Sequence, residues 1–293
     1  MQESIRVTAP CKINLHLRVL AKRADGYHGI ESVFQLVSLA DGLSVSVSGP
    51  LGSCAVISPS MALPPVNTVS RAVELFRAET GVRDGIAVEL DKRVPAGAGL
   101  GGGSSDAAAT LVALDRLFGT GLSRETLARL AAGIGSDVPF FIEGGAAVVE
   151  GRGERVTPIA ARNDLHGVLI WPAVHSSTAE AYGLVDSWQA EGRESGIEWP
   201  GVADLPGIYR LPVESWAFRN GFTAPLEARY PVIGDARVAL VDQGALFAEM
   251  SGSGSTVFGL FADRETAEAA QTRLSTHWKH CVKFLLLASS TMQ

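Results

Sequence analysis

The chain is poor in cysteine, in charge clusters and in long apolar runs. Its three cysteines, Cys11, Cys54 and Cys281, are widely separated and match no metal-ligand spacing. That excludes a disulfide framework and points to a reducing compartment. Nowhere do apolar residues run for the ~20 positions a membrane-spanning helix needs, and MQESIRVTAP at the N-terminus lacks the apolar core of a signal segment. The expectation is a cytoplasmic protein with no membrane partner. Net charge is −6, from 25 Lys and Arg against 31 Asp and Glu, with no basic patch, which argues against a nucleic-acid partner. It does not argue against an anionic small molecule, because phosphate sites are built from local dipoles.

Glycine, by contrast, is concentrated. In PAGAGLGGGSSDAAATL (95–111) five of the seven positions from Gly97 to Gly103 are glycine. Such a run costs backbone entropy and is kept where φ > 0 or a close ligand demands it. No lysine follows it, so it is not a Walker A loop. Gly97, Gly99 and Gly102 match a dinucleotide fingerprint in spacing, but the flanking strands read as antiparallel rather than βαβ. The remaining reading is another phosphate cradle: Pro95 ends a strand, successive N–H groups turn inward, and Ser104 and Ser105 sit where a helix begins, its dipole facing an anion. The bland alternative is a connection in which Ser104 or Ser105 merely caps that helix.

At 293 residues and 46% apolar content the chain can bury two cores, and two domains are expected. KINLHLRVL (12–20) alternates strictly, which predicts a half-buried strand with Lys12, Asn14, His16 and Arg18 on its polar face. LSVSVS (43–48), GIAVELD (85–91) and GGAAVVEG (144–151) give further strands. Helices are predicted over Val69–Phe76, from the glycine run to Gly119, and from Ser123 to about Gly133. This is an α+β order up to about residue 157. Beyond it, strands near 167–171, 245–250, 256–262 and CVKFLLL, with helices from about 178, 235–243 and 264–276, give the βααββαβ order of a ferredoxin-like fold. Residues 191–216 resist assignment.

PAGAGLGGGSSDAA resembles the second motif of the GHMP kinases, APCKINLHL (9–17) the first, and MSGSGSTVF (250–258) the third. The resemblance implies an N-terminal domain over 1–157 like the second domain of ribosomal protein S5, which binds ATP, and a ferredoxin-like C-terminal domain over 158–293. RADGYH (23–28) and GSDVPFF (135–141) narrow it: the motifs in this order resemble the branch that uses ATP to phosphorylate the 2-hydroxyl of a cytidine-diphosphate derivative of methylerythritol, in the non-mevalonate route to isoprenoids. Another small-molecule kinase of the same superfamily, of mevalonate, phosphomevalonate or homoserine type, is the alternative. From a different class, an RNA- or protein-binding module would consume no ATP.

The resemblance implies Asp137 as general base and Lys12 as its charge partner. On their own Asp137 reads as a helix cap and Lys12 as a solvated strand residue. It implies ATP contacts from Pro95, Ala96, Gly97, Ala98, Gly99, Leu100, Gly101, Gly102, Gly103, Ser104 and Ser105, with Lys92 and Asn67 near the adenine, although Asn67 equally suits a cap for a helix starting at Thr68. Substrate contacts are implied for Asn14, Tyr27, His28, Thr178 and Tyr182, the two tyrosines against a cytosine and His28 at its edge. Phosphoryl transfer from ATP implies Mg²⁺. No carboxylate is assignable as its ligand, and Ser105 is at most an indirect contact. NGF (220–222) departs from the family's usual Asn-Asp, and 186–218 matches it poorly.

Overall fold

The computed structural model describes Ser4–Ser289. Two long strands, β1 (Ser4–Lys22) and β2 (His28–Val47), form an antiparallel ribbon. The free edge of β2 is shared: Gly42–Val47 pairs with β4 (Ile86–Asp91), and Ile30–Gln35 with β5 (Ala146–Gly151). β3 (Cys54–Ile57) lies outside β4, and β6 (Arg155–Ile159) outside β5. The β3/β4 pair is parallel, a βαβ crossover through α1 (Thr68–Thr80), where the sequence predicts only antiparallel pairing; the other pairs of this sheet are antiparallel.

Four helices cover one face: α1, α2 (Gly102–Phe118), α3 (Arg124–Ala132) and α4 (Val138–Glu143). α1 starts at a capping box in which Asn67 accepts from the amides of Val69 and Ser70, and it stops at Gly81 in the left-handed region. Phe34, Phe76, Leu111, Leu114 and Phe140 are among the fully buried side chains between sheet and helices, each stabilising by ~1.5–3 kcal/mol relative to exposure.

The second sheet holds β7 (His166–Ile170), β8 (Phe247–Met250), β9 (Val257–Phe261) and β10 (Cys281–Leu285), in spatial order β10-β7-β9-β8. Numbered within the domain this is 4-1-3-2, the order of a split βαβ sandwich. The β7–β8 connection carries α5 (Thr178–Ala190), α6 (Leu205–Arg210), α7 (Thr223–Arg229) and α8 (Pro231–Asp242), and α9 (Arg264–Leu274) joins β9 to β10. The unassignable stretch resolves into α6 and short turns, anchored by Tyr209, Val213 and Trp216 against the joint between the sheets.

Lys12, Asn14 and His16 are buried, not solvated as the alternation of β1 predicts. The backbone after α6 crosses β1 at Leu17, exchanging amide–carbonyl bonds with Arg219 and Gly221, and closes over this polar face.

Candidate active site

The glycine run is a turn pressed against two other segments. Gly97, Gly99 and Gly101 all have positive φ, between 65° and 81°. A Cβ at Gly99 would lie 1.9 Å from the Ser251 carbonyl oxygen, so only hydrogen fits. Ser251 Oγ donates to Gly99 O (2.9 Å) and accepts from the amide of Asn14 (3.1 Å). Thr256 N donates to Ala98 O, and Lys12 N to Leu100 O. The three motifs, far apart along the chain, are therefore one hydrogen-bonded unit.

α2 begins at Gly102 with left-handed Gly101 before it and no side-chain cap. This corrects the bland reading: neither Ser104 nor Ser105 caps, because both lie inside the first turn. The first intrahelical bond runs from Ser105 N to Gly101 O, leaving the amides of Gly102, Gly103 and Ser104 without an intrahelical acceptor at the positive end of the dipole. Ser105 Oγ is buried and donates to Pro10 O (2.7 Å), a tether to β1.

Two clefts flank this turn and share Gly97, Gly99, Gly101 and Ser104 as lining. One, of about 340 Å³, runs from Pro95–Gly99 and Gly101–Ser104 to an apolar end at Met61, Leu63, Val69 and Leu90. Asn67 and Lys92 line it too. The Asn67 side chain serves as the α1 cap. Lys92 is bonded to Asp41 and, at 2.7 Å, to Asp106. Burial pushes the Asp106 carboxyl up to about 7 against the pull of Lys92, and its Oδ1 is buried without a hydrogen-bond partner among the described residues. Leu100 is buried in the joint between the sheets.

The second cleft, of about 380 Å³, is lined by Lys12, Asn14, Ser136, Asp137, Arg152, Thr178 and Tyr182 among others. Asp137 stands at the N-cap position of α4 but makes no cap bond, so its carboxylate is free of the role that its local sequence suggests. Asp137 Oδ2 lies 3.9 Å from Lys12 Nζ. That ammonium also donates to Asn14 Oδ1 (2.5 Å) and Gly99 O (3.0 Å). Burial lowers the Lys12 pKa, and Asp137 opposes the shift.

Tyr182, which lines this cleft, is stacked on His28 behind it, ring centroids 4.7 Å apart and 15° from parallel, and makes a T-shaped contact with Phe222. His28 Nε2 is 2.7 Å from Asp186 Oδ1. Tyr27 is 58% exposed, with the Arg152 guanidinium 5.1 Å from its ring centroid. Thr178 opens α5 behind its cap Ser177. One face of Tyr182 is thus taken by His28, and the Tyr27 ring carries the Arg152 guanidinium.

Sequence reasoning missed Arg152, Asp186 and Asn220. Asn220 Nδ2 donates to Met250 O (2.7 Å) and Gly252 O (2.8 Å), holding the third motif from the departing NGF segment. A lone Asn in an unmatched stretch carries no local signal. Asp186 lies four residues beyond Tyr182 on the same helix face, a spacing that would have found it.

The model of the GHMP kinases N terminal domain matches residues 67–145, and that of the GHMP kinases C terminal matches 204–280. A Treponema pallidum (strain Nichols) protein named 4-diphosphocytidyl-2-C-methyl-D-erythritol kinase is 46% identical over 97% of this chain and 99% of its own length. One of the same name from Nitratidesulfovibrio vulgaris (Hildenborough) is 40% identical over 98% and 100%. A crystal structure of a 4-(cytidine 5'-diphospho)-2C-methyl-D-erythritol kinase superposes with a TM-score of 0.82 at 32% identity, covering 96% of this chain and 99% of that one. With near-complete coverage, three shared motifs and the 4-1-3-2 sheet, the chain belongs to the GHMP kinases and, within them, to the 4-diphosphocytidyl-2-C-methyl-D-erythritol kinase family.

Proposed function

We propose that this phosphotransferase moves the γ-phosphoryl group of ATP to the 2-hydroxyl of 4-diphosphocytidyl-2-C-methyl-D-erythritol. The observation that carries the reading is the shared wall: two clefts meet at the glycine turn, and Lys12, bonded to Gly99 O in that wall, has Asp137 3.9 Å away in the second cleft. The apolar end of the first cleft suits an adenine, and the unsatisfied amides of α2 suit its phosphates. The second suits the acceptor, with its cytosine at Tyr27, His28 and Tyr182.

In this reading Asp137 takes the proton of the 2-hydroxyl as its oxygen bonds to the γ-phosphorus, and the bond from that phosphorus to the β–γ bridging oxygen breaks, leaving ADP. Lys12 pairs with the Asp137 carboxylate and meets charge on the equatorial phosphoryl oxygens. Asn14 and Gly99 O fix the ammonium. The Mg²⁺ that phosphoryl transfer from ATP implies would arrive bound to the phosphate oxygens of the nucleotide. So bound, Mg²⁺ would neutralise charge on the phosphate oxygens. Lys92 and Asn67 flank the adenine, and the two functional units meet just after β6, close to the 157/158 boundary expected from the sequence. No helix among the described residues is long and apolar enough to cross a membrane, and with soluble anions as substrates the reading places the enzyme in the cytoplasm.

The test is ADP release with a panel of acceptors. The cytidylyl substrate supports turnover, while mevalonate and homoserine do not; the reverse preference overturns the assignment.

A further inference from the structure

Resting on that reading, we propose that Arg152 binds the diphosphate of the acceptor, between the cytosine end and the reacting hydroxyl. The acceptor is long: base, ribose, two phosphates, then the methylerythritol chain. Its diphosphate must therefore cross the middle of the cleft. Among the residues lining that cleft, Lys12 and Arg152 are the two with cationic side chains. Lys12 is committed to Asn14, Gly99 and the neighbourhood of Asp137, and its charge is offset by that carboxylate. Without Arg152 the cleft offers a diphosphate no net positive charge.

Arg152 also stands in the right place. It sits on the turn between β5 and β6, next to Gly151, which pairs with Ile30 just inside the Tyr27–His28 end of β2. On its other side the turn touches the proposed base: a Cβ at Gly153 would lie 3.0 Å from Asp137 Oδ1 and 3.2 Å from Ser136 Cβ. The residue spans the interval between the two ends of the substrate. Its side chain is exposed and forms no ion pair within 4.0 Å among the described residues. The nearby Glu154 carboxylate is instead turned onto the Arg152 backbone amide at 2.6 Å. Among the described residues the guanidinium packs on the Tyr27 ring and donates to no carboxylate, which leaves its N–H edge available for bidentate phosphate recognition.

The test is binding of cytidine and of cytidine 5'-diphosphate, by calorimetry with the nucleotide cleft saturated by a non-hydrolysable ATP analogue. The unmodified protein binds the diphosphate at least about tenfold more tightly than the nucleoside, as a charged hydrogen-bond pair provides. Arg152→Ala brings the two within a factor of about three by the same arithmetic; Arg152→Lys keeps part of the preference, and the KM for ATP is unchanged in both. An undiminished preference in Arg152→Ala overturns the proposal. Equal losses for both ligands overturn it too, showing that Arg152 acts through Tyr27. An unmodified protein that binds neither ligand refutes the cytosine reading itself.

Discussion

Gly99 and Ser251 touch through their backbones: the Ser251 carbonyl oxygen occupies the space where a Gly99 side chain would begin, 1.9 Å from an ideal Cβ. Gly99→Ala must therefore push the second motif off the third. It is expected to weaken ATP-analogue binding at least tenfold, roughly 1.4 kcal/mol, and to lower Tm. The control is Gly207→Ala at an exposed position of α6, where a Cβ meets nothing within 4 Å; it leaves binding unchanged and is neutral or stabilising by up to ~1 kcal/mol. Equal behaviour of the two variants in calorimetry would refute the cradle.

Asp137→Asn should lower kcat by ~10²–10⁴-fold, the range for losing a general base, with little change in the KM of either substrate. Lys12→Ala should lower kcat as well, and the double variant should lose less than the product of the two because they act as a unit. Since burial holds the Lys12 pKa below 10.5, the alkaline limb of kcat should fall below the ordinary lysine range. Independent, multiplicative losses would break the pairing.

The cytosine end should discriminate by hydrogen bonds. Cytosine presents an amine donor and an N3 acceptor and uracil the reverse, so a uridine analogue should lose at least ~10-fold in kcat/KM from one unpaired buried polar group. His28→Ala and Asp186→Asn should both narrow that gap, because Asp186 fixes the imidazole at 2.7 Å. Tyr182→Phe, which preserves the face under His28, should leave it wide. Equal use of both bases by the unmodified protein would refute the assignment.

His16 predicts an acid sensitivity of the fold. Burial pushes its pKa down to about 4 from 6.5; its Nδ1 accepts from Arg219 N, and its Nε2 has no hydrogen-bond partner among the described residues. The unfolded chain takes up this proton near pH 6.5 and the folded chain only near 4, so the stability is complete above pH 6.5 and is lost as pH falls through that window. The loss is about 3 kcal/mol. In urea titrations, His16→Phe should flatten the pH dependence between 6.5 and 4 relative to the unmodified protein. An unchanged slope would show that His16 is not the titrating group.

Much of the architecture is legible in the chain. Asn67 before Thr68 and Gly81 after Thr80 bound α1 because caps are local chemistry, and the C-terminal domain's succession of strands and helices, α6 and α7 apart, follows from periodicity. The first half of β2 is not legible, since it is buried on both faces and ESVFQLVSLA does not alternate. The polar face of β1 defeats alternation for a related reason: its partners are remote, Gly99 and Asp137 at Lys12, Ser251 at Asn14 and Arg219 at His16. Within the site, the glycine turn announces itself through composition, whereas Arg152 is one exposed arginine among many until the fold sets its turn against Asp137.

The most direct test of the account is the position of the new phosphate. The purified protein, incubated with ATP, Mg²⁺ and 4-diphosphocytidyl-2-C-methyl-D-erythritol, should give a product in which a new phosphomonoester phosphorus splits the carbon NMR signal of the quaternary C2, placing it on the 2-hydroxyl. A phosphate on any other hydroxyl, or ATP hydrolysis without a phosphorylated acceptor, would contradict it.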